Sequence, residues 1–193
     1  MGREAAAISA VAVLVAGVAT LALVETGYLS RQMVLHVAIM NVAAPLAAAW
    51  TPARPTWTRT RGFLVGAALG QLILLWSSHL PTIHHLASMR VHLAMAAVLA
   101  VAAFAFWVAV VSAIAKRHWP AIAALLLTGK LACLLGALLI FAPGEIYGLP
   151  VEDQHLAGLF MVTACPLSYV TAAIVLAAQA VADLERGGRC AEG

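Results

Sequence analysis

The sequence predicts an all-α integral membrane protein of about six transmembrane helices packed in one bundle, with the N and C termini both cytoplasmic. Three observations predict it. The 193-residue chain is 64% hydrophobic and only 10% charged, whereas soluble domains are about half apolar and a quarter charged. Six apolar stretches reach the roughly 20 residues that cross a hydrocarbon core about 30 Å thick. Basic residues gather on one side of the topology those stretches define.

The stretches are 5–24, 32–50, 62–78, 91–115, 119–142 and 154–181, and residues 1–193 read as a single transmembrane helical domain. Met1-Gly2-Arg3 resembles the charged start of a signal peptide, but the run behind it has span length and is expected to be retained as a helix. The 32–50 span carries Pro45, which lacks an amide hydrogen and is expected to kink the helix and free a carbonyl. The 62–78 span follows Arg59 and Arg61, and the 91–115 span follows Arg90 and stops at Lys116-Arg117-His118. Lys130 lies near the middle of the 119–142 span, where an ionisable group is expensive and marks a functional candidate. Its expected partners are a backbone carbonyl, Asn41, Gln71 or a wet cavity. Asp153 is expected to cap the last helix, with Glu152 beside it at the favourable end of the helix dipole, and Pro166 is expected to kink that helix.

The breaks, at 25–31, 51–61, 79–90, 116–118 and 143–153, carry turn and charge signals. With the N-terminus inside, eight basic residues fall in cytoplasmic segments and only Arg31 and Arg90 on the opposite side. The preference for Arg over Lys and the abundance of Ala suggest a bacterial chain, hence a multi-pass protein of the plasma (inner) membrane. Cys133, Cys165 and Cys190 form no disulfide framework; they read as small buried packing residues, with a free or metal-binding thiol as the alternative.

In this orientation six of the seven histidines, His36, His79, His84, His85, His92 and His155, collect at the periplasmic ends of the helices; only His118 is cytoplasmic. Met33, His36 and Met40 form one helical stripe, and His92 is followed by Met95 at i+3. Gln154, Met161 and Cys165 share a face of the last span. Imidazole and thioether donors suit monovalent copper. The candidate metal residues are therefore His36, His79 and His92 with Met33, Met40 and Met95. Asp153, Gln154, Met161 and Lys130 are further functional candidates. Each has a bland alternative: interfacial histidines and methionine packing are common in spans.

Four stretches resemble the polytopic CtaG-type cytochrome c oxidase assembly factors. Gln32-Met33-Val34-Leu35-His36 running into Ala43-Ala44-Pro45-Leu46 resembles the family's His-Met-x-x-His and Ala-Pro-Pro-Leu. Trp76 to Pro81 is similar to its Trp-His-x-Pro, and His92 precedes a helix containing Phe106-Trp107. Asp153-Gln154-His155-Leu156-Ala157-Gly158-Leu159-Phe160-Met161 resembles its Asp-Gln-x-x-Ala-Gly-x-x-Met. Gln32 stands where the family's first His is usual, Ala44 replaces a Pro and Val162 a Trp.

The resemblance implies a membrane assembly factor for haem–copper oxidase that binds or delivers copper, with oxidase subunits or copper chaperones as partners beside membrane lipid. Two other classes stay open. One is a b-type haem or quinone-associated subunit; the other is a small transporter or scaffold using Lys130. The sequence has no phosphate-binding Gly-rich loop, paired Cys motif or His-Glu-x-x-His, so neither an enzyme nor a nucleic-acid partner is expected.

Overall fold

The structure is a computed structural model. It describes residues 27–51, 55–86, 88–113 and 118–191, and their side chains except those of 84–86, 89 and 187–191. Every regular element in these residues is helical: α1 (Tyr28–Trp50), a single turn of 3-10 helix (Thr56–Arg59), α2 (Arg61–Ser78), α3 (Pro81–Leu86), α4 (Met89–Ala113), α5 (His118–Phe141) and α6 (Val151–Ala191). Among the described residues, five helices are long and apolar enough to cross a membrane. The chain is therefore an all-α membrane bundle, as expected. The expected 5–24 span lies outside the described residues, as do Arg3, Arg54, Lys116 and Arg117, on which the orientation partly rests.

The five long helices close into a ring in the order α1, α6, α5, α2, α4. The first half of α1 lies on α6 and its second half on α4, while the most extensive contact is α5 on α6. Glycine makes that closeness possible. A Cβ at Gly136 would sit 2.8 Å from the Gly158 carbonyl oxygen, and one at Gly158 would sit 2.6 Å from that of Gly136. Backbone therefore meets backbone there, the small-residue contact that membrane helices favour because lipid supplies no hydrophobic drive.

Pro45 acts through the turn before it. Residues Ile39–Ala43 are π-helical, and the Ala44 amide bonds to the Ile39 carbonyl rather than to that of Met40. Pro45 has no N–H to offer in its place. The Met40 carbonyl is instead taken by the Trp107 indole N–H at 2.8 Å. A freed carbonyl in the membrane needs such a donor, and Trp107 supplies it from α4. Around it, Phe106, Trp107 and Tyr169 stack with ring centroids 5.4 to 5.9 Å apart. In α6 the missing N–H of Pro166 leaves the Val162 carbonyl open, and the Cys133 thiol approaches it at 4.0 Å.

The ends of the spans differ most from expectation in α1 and α6. Helix α1 begins at Tyr28 rather than 32. Helix α6 begins at Val151 rather than 154 and runs to Ala191 rather than 181; at about 1.5 Å per residue its 41 residues exceed a hydrocarbon core. Asp183 lies 3.0 Å from Arg186 on its extended part and 3.9 Å from His118 at the start of α5.

Candidate functional site

The helix ends that carry the histidines meet at one face of the ring: the start of α1, the end of α2, the start of α4 and the 142–150 loop with the start of α6. Asp153 organises this face, though not by capping its own helix. Its amide, like that of Gln154, bonds to the Pro150 carbonyl, so α6 begins without its carboxylate. That carboxylate turns to α1 instead. Oδ2 accepts the Leu29 amide at 2.9 Å and Oδ1 the Ser30 amide at 3.0 Å. The Ser30 hydroxyl also donates to Oδ1. These amides belong to the first turn of α1, whose N–H groups have no partner within the helix. The N-cap residue is Gly27, which offers no capping side chain, and a Cβ there would fall 2.0 Å from the Asp153 carboxyl carbon. The cap in trans is why α1 starts a turn early.

Gln154 holds the adjacent loop. Its amide donates to the carbonyls of Leu139, at 3.1 Å, and Gly144, at 3.4 Å, and its Oε1 accepts the Ile146 amide at 3.0 Å. Met161, two turns on, is buried against the Gly136 position of α5. Both residues, named from sequence as functional candidates, hold the helices together here.

The rings of His36 and His79 meet edge to face, with centroids 5.3 Å apart. Both side chains are buried, at 4% and 5% exposure. His79 Nδ1 lies 2.7 Å from the Leu75 carbonyl and 3.0 Å from the Ser78 hydroxyl. A carbonyl only accepts, so Nδ1 carries the proton and the ring's lone pair is on Nε2. Fixing one ring nitrogen on a carbonyl in this way is how ligating histidines are oriented. His36 Nδ1 is buried and makes no hydrogen bond among the described residues. Met33 precedes His36 by three residues on α1 and is fully buried.

The remaining sequence candidates are spread more widely. Met40 is buried in the π-helical turn, at the Trp107 contact. His92 and Met95 are half-buried on α4, with His92 Nδ1 3.2 Å from the Ser88 carbonyl. His155 is exposed. The side chains of His84 and His85 lie outside those described. Among the described residues no group of three His, Cys, Asp or Glu side chains could hold a metal ion. Lys130 is exposed on the outside of the ring, whereas Asn41 and Gln71, considered as its partners, are buried inside it. Asn41 donates to the Ala164 carbonyl at 3.5 Å, and Gln71 donates to the Tyr169 hydroxyl.

One residue that sequence reasoning passed over completes the face. Tyr147 reaches back from the 142–150 loop and donates its hydroxyl to the His79 carbonyl at 2.7 Å, and burial pushes its phenol up to about 12. A tyrosine in a loop carries no sequence signal for such a role.

Comparison of the chain with known protein families, curated proteins and solved structures gave no match to any of them.

Proposed function

We propose that the chain is a non-enzymatic membrane assembly factor for haem–copper oxidase, holding monovalent copper in transit at the outer face of a bacterial inner membrane. Copper is the cargo, and His36 and His79 are its principal ligands. The observation that carries this reading is the buried His36–His79 contact. Two imidazoles from different helices meet in an apolar setting, one with its tautomer fixed and the other with an unbonded buried nitrogen. Neutral imidazole nitrogens are good copper donors, and the Met33 thioether is of the soft type that favours the monovalent ion. The resemblance to the CtaG-type factors includes both of these histidines, together with His92.

The test is genetic and spectroscopic together. A strain lacking the chain should lose cytochrome c oxidase activity and regain it with the wild-type gene but not with His36→Ala or His79→Ala. Normal oxidase activity in the deletion strain contradicts the proposal. The purified protein should show no Soret band; one would assign the histidines to haem instead.

A further inference from the structure

Lys130 lies where a lone lysine has no reason to be. It is twelve residues from His118 and eleven from Phe141 at the two ends of α5, hence about 18 Å and about 16 Å from them along the axis. That places it near the middle of the span, beyond easy reach of either interface for a four-carbon stem. It points outward, on a stripe with Leu127, Leu134, Leu138 and Phe141, which are 59%, 48%, 50% and 81% exposed. Among the described residues it makes no hydrogen bond or ion pair. A cationic group on the lipid face at mid-depth is among the costliest placements in a membrane protein, and such groups normally face protein.

A second feature continues the same stripe. One and two turns beyond Lys130, Leu134 and Leu138 form one wall of an apolar cavity of about 630 Å³, which Trp76, Leu80, Phe141 and Tyr147 also line. It opens between the end of α2 and the outer half of α5. The charge and the cavity therefore lie along one line on one helix.

We infer that the outward face of α5 is the docking site for a transmembrane helix of another protein. That helix carries one Asp or Glu near its centre to meet Lys130 and a large apolar side chain about two turns away to fill the cavity. Charge complementarity identifies the partner's chemistry, and it also excludes this chain as its own partner. All eight acidic residues, Glu4, Glu25, Glu145, Glu152, Asp153, Asp183, Glu185 and Glu192, lie outside the mid-depth of any span. Neither a second copy nor the 5–24 stretch can supply a carboxylate at the level of Lys130.

The test reconstitutes the full chain, donor-labelled, in phosphatidylcholine vesicles with acceptor-labelled single-span Leu/Ala peptides. One peptide has a central Asp with a Phe two turns towards the end that meets the cavity; the control has Leu in place of Asp. Energy transfer should show the Asp peptide binding about tenfold more tightly than the control, the scale of a polar contact between membrane helices. Lys130→Met should abolish that preference and Lys130→Arg keep it; neither outward-facing change touches the core. Leu138→Trp, which fills the cavity, should weaken binding of the Asp peptide. Equal binding of the two peptides, or an Asp preference that survives Lys130→Met, overturns the inference. So does Lys130-dependent transfer between two copies of the chain, which would make the face a homodimer contact. Absence of binding by every peptide would leave the face to lipid and overturns it too.

Discussion

The Asp153 carboxylate on α6 caps the first turn of α1, taking the Ser30 amide at 3.0 Å and the Ser30 hydroxyl beside it. The first turn of α1 is thus held by a carboxylate from a helix distant in sequence. Charge-assisted bonds of this kind contribute about 1.5–3 kcal/mol each when buried. Asp153→Ala should therefore lower stability by about 2–4 kcal/mol, read as a fall in the thermal midpoint in mild detergent. Gly27→Ala should act on the same contact, because its new methyl displaces the carboxylate. The double variant should then be little worse than Asp153→Ala alone; full additivity would place the two effects in separate contacts.

Trp107→Phe removes the donor on the Met40 carbonyl and leaves that oxygen bare inside the bundle. A loss of about 1–3 kcal/mol is expected. Pro45→Ala returns an amide hydrogen to the π-helical turn, so Trp107→Phe should cost measurably less in that background. Thermal unfolding of the four proteins in this cycle checks it, and an unchanged cost would separate Pro45 from the indole bond.

Gly136→Val and Gly158→Val each push a side chain into a facing backbone already at contact. Each should cost about 1–3 kcal/mol by overpacking. By contrast, Gly144→Ala, with nothing within 4 Å of its added carbon, should be close to neutral. Midpoints that do not separate the two groups would contradict the close α5–α6 approach.

Tyr147 gives the account a pH dependence. Its phenol is raised to about 12, from an ordinary value near 10. The folded state keeps a proton that the unfolded chain releases, so this contribution to stability is complete below about pH 10 and is lost as pH rises from there towards 12. Near-ultraviolet phenolate absorbance should show a transition near pH 12 that disappears in Tyr147→Phe. The same variant should show a shallower loss of stability between about pH 10 and 12.

The spans were legible from apolar run length, and α2 and α5 begin and end within a residue of expectation, because a membrane fixes helix length more firmly than local propensity does. The start of α1 was not legible. Its cap comes from a residue 123 positions away in sequence, and no local pattern marks a cap in trans. Asp153 and Gln154 stood out as a motif, yet their side chains hold helix and loop ends in place. For the candidate site, the gathering of histidines at one end of the spans selected His36, His79 and His92 together. Sequence could not show that the His36 and His79 rings touch while His92 and Met95 sit half-buried on α4, since that depends on how α1 and α2 cross the ring. Lys130 was conspicuous by its depth, but the direction it faces follows from which side of α5 packs on α2 and α6.

The most direct measurement is the copper affinity of the reconstituted protein, read by competition with a chromogenic Cu(I) chelator. The wild type should take up about one Cu(I) per chain. His36→Ala and His79→Ala should each weaken binding at least about tenfold, and the double variant should be no worse than the weaker single one, because both remove the same site. His92→Ala should bind more nearly like the wild type. A wild type that takes no Cu(I), or a His36→Ala, His79→Ala double variant that binds it undiminished, would contradict the account.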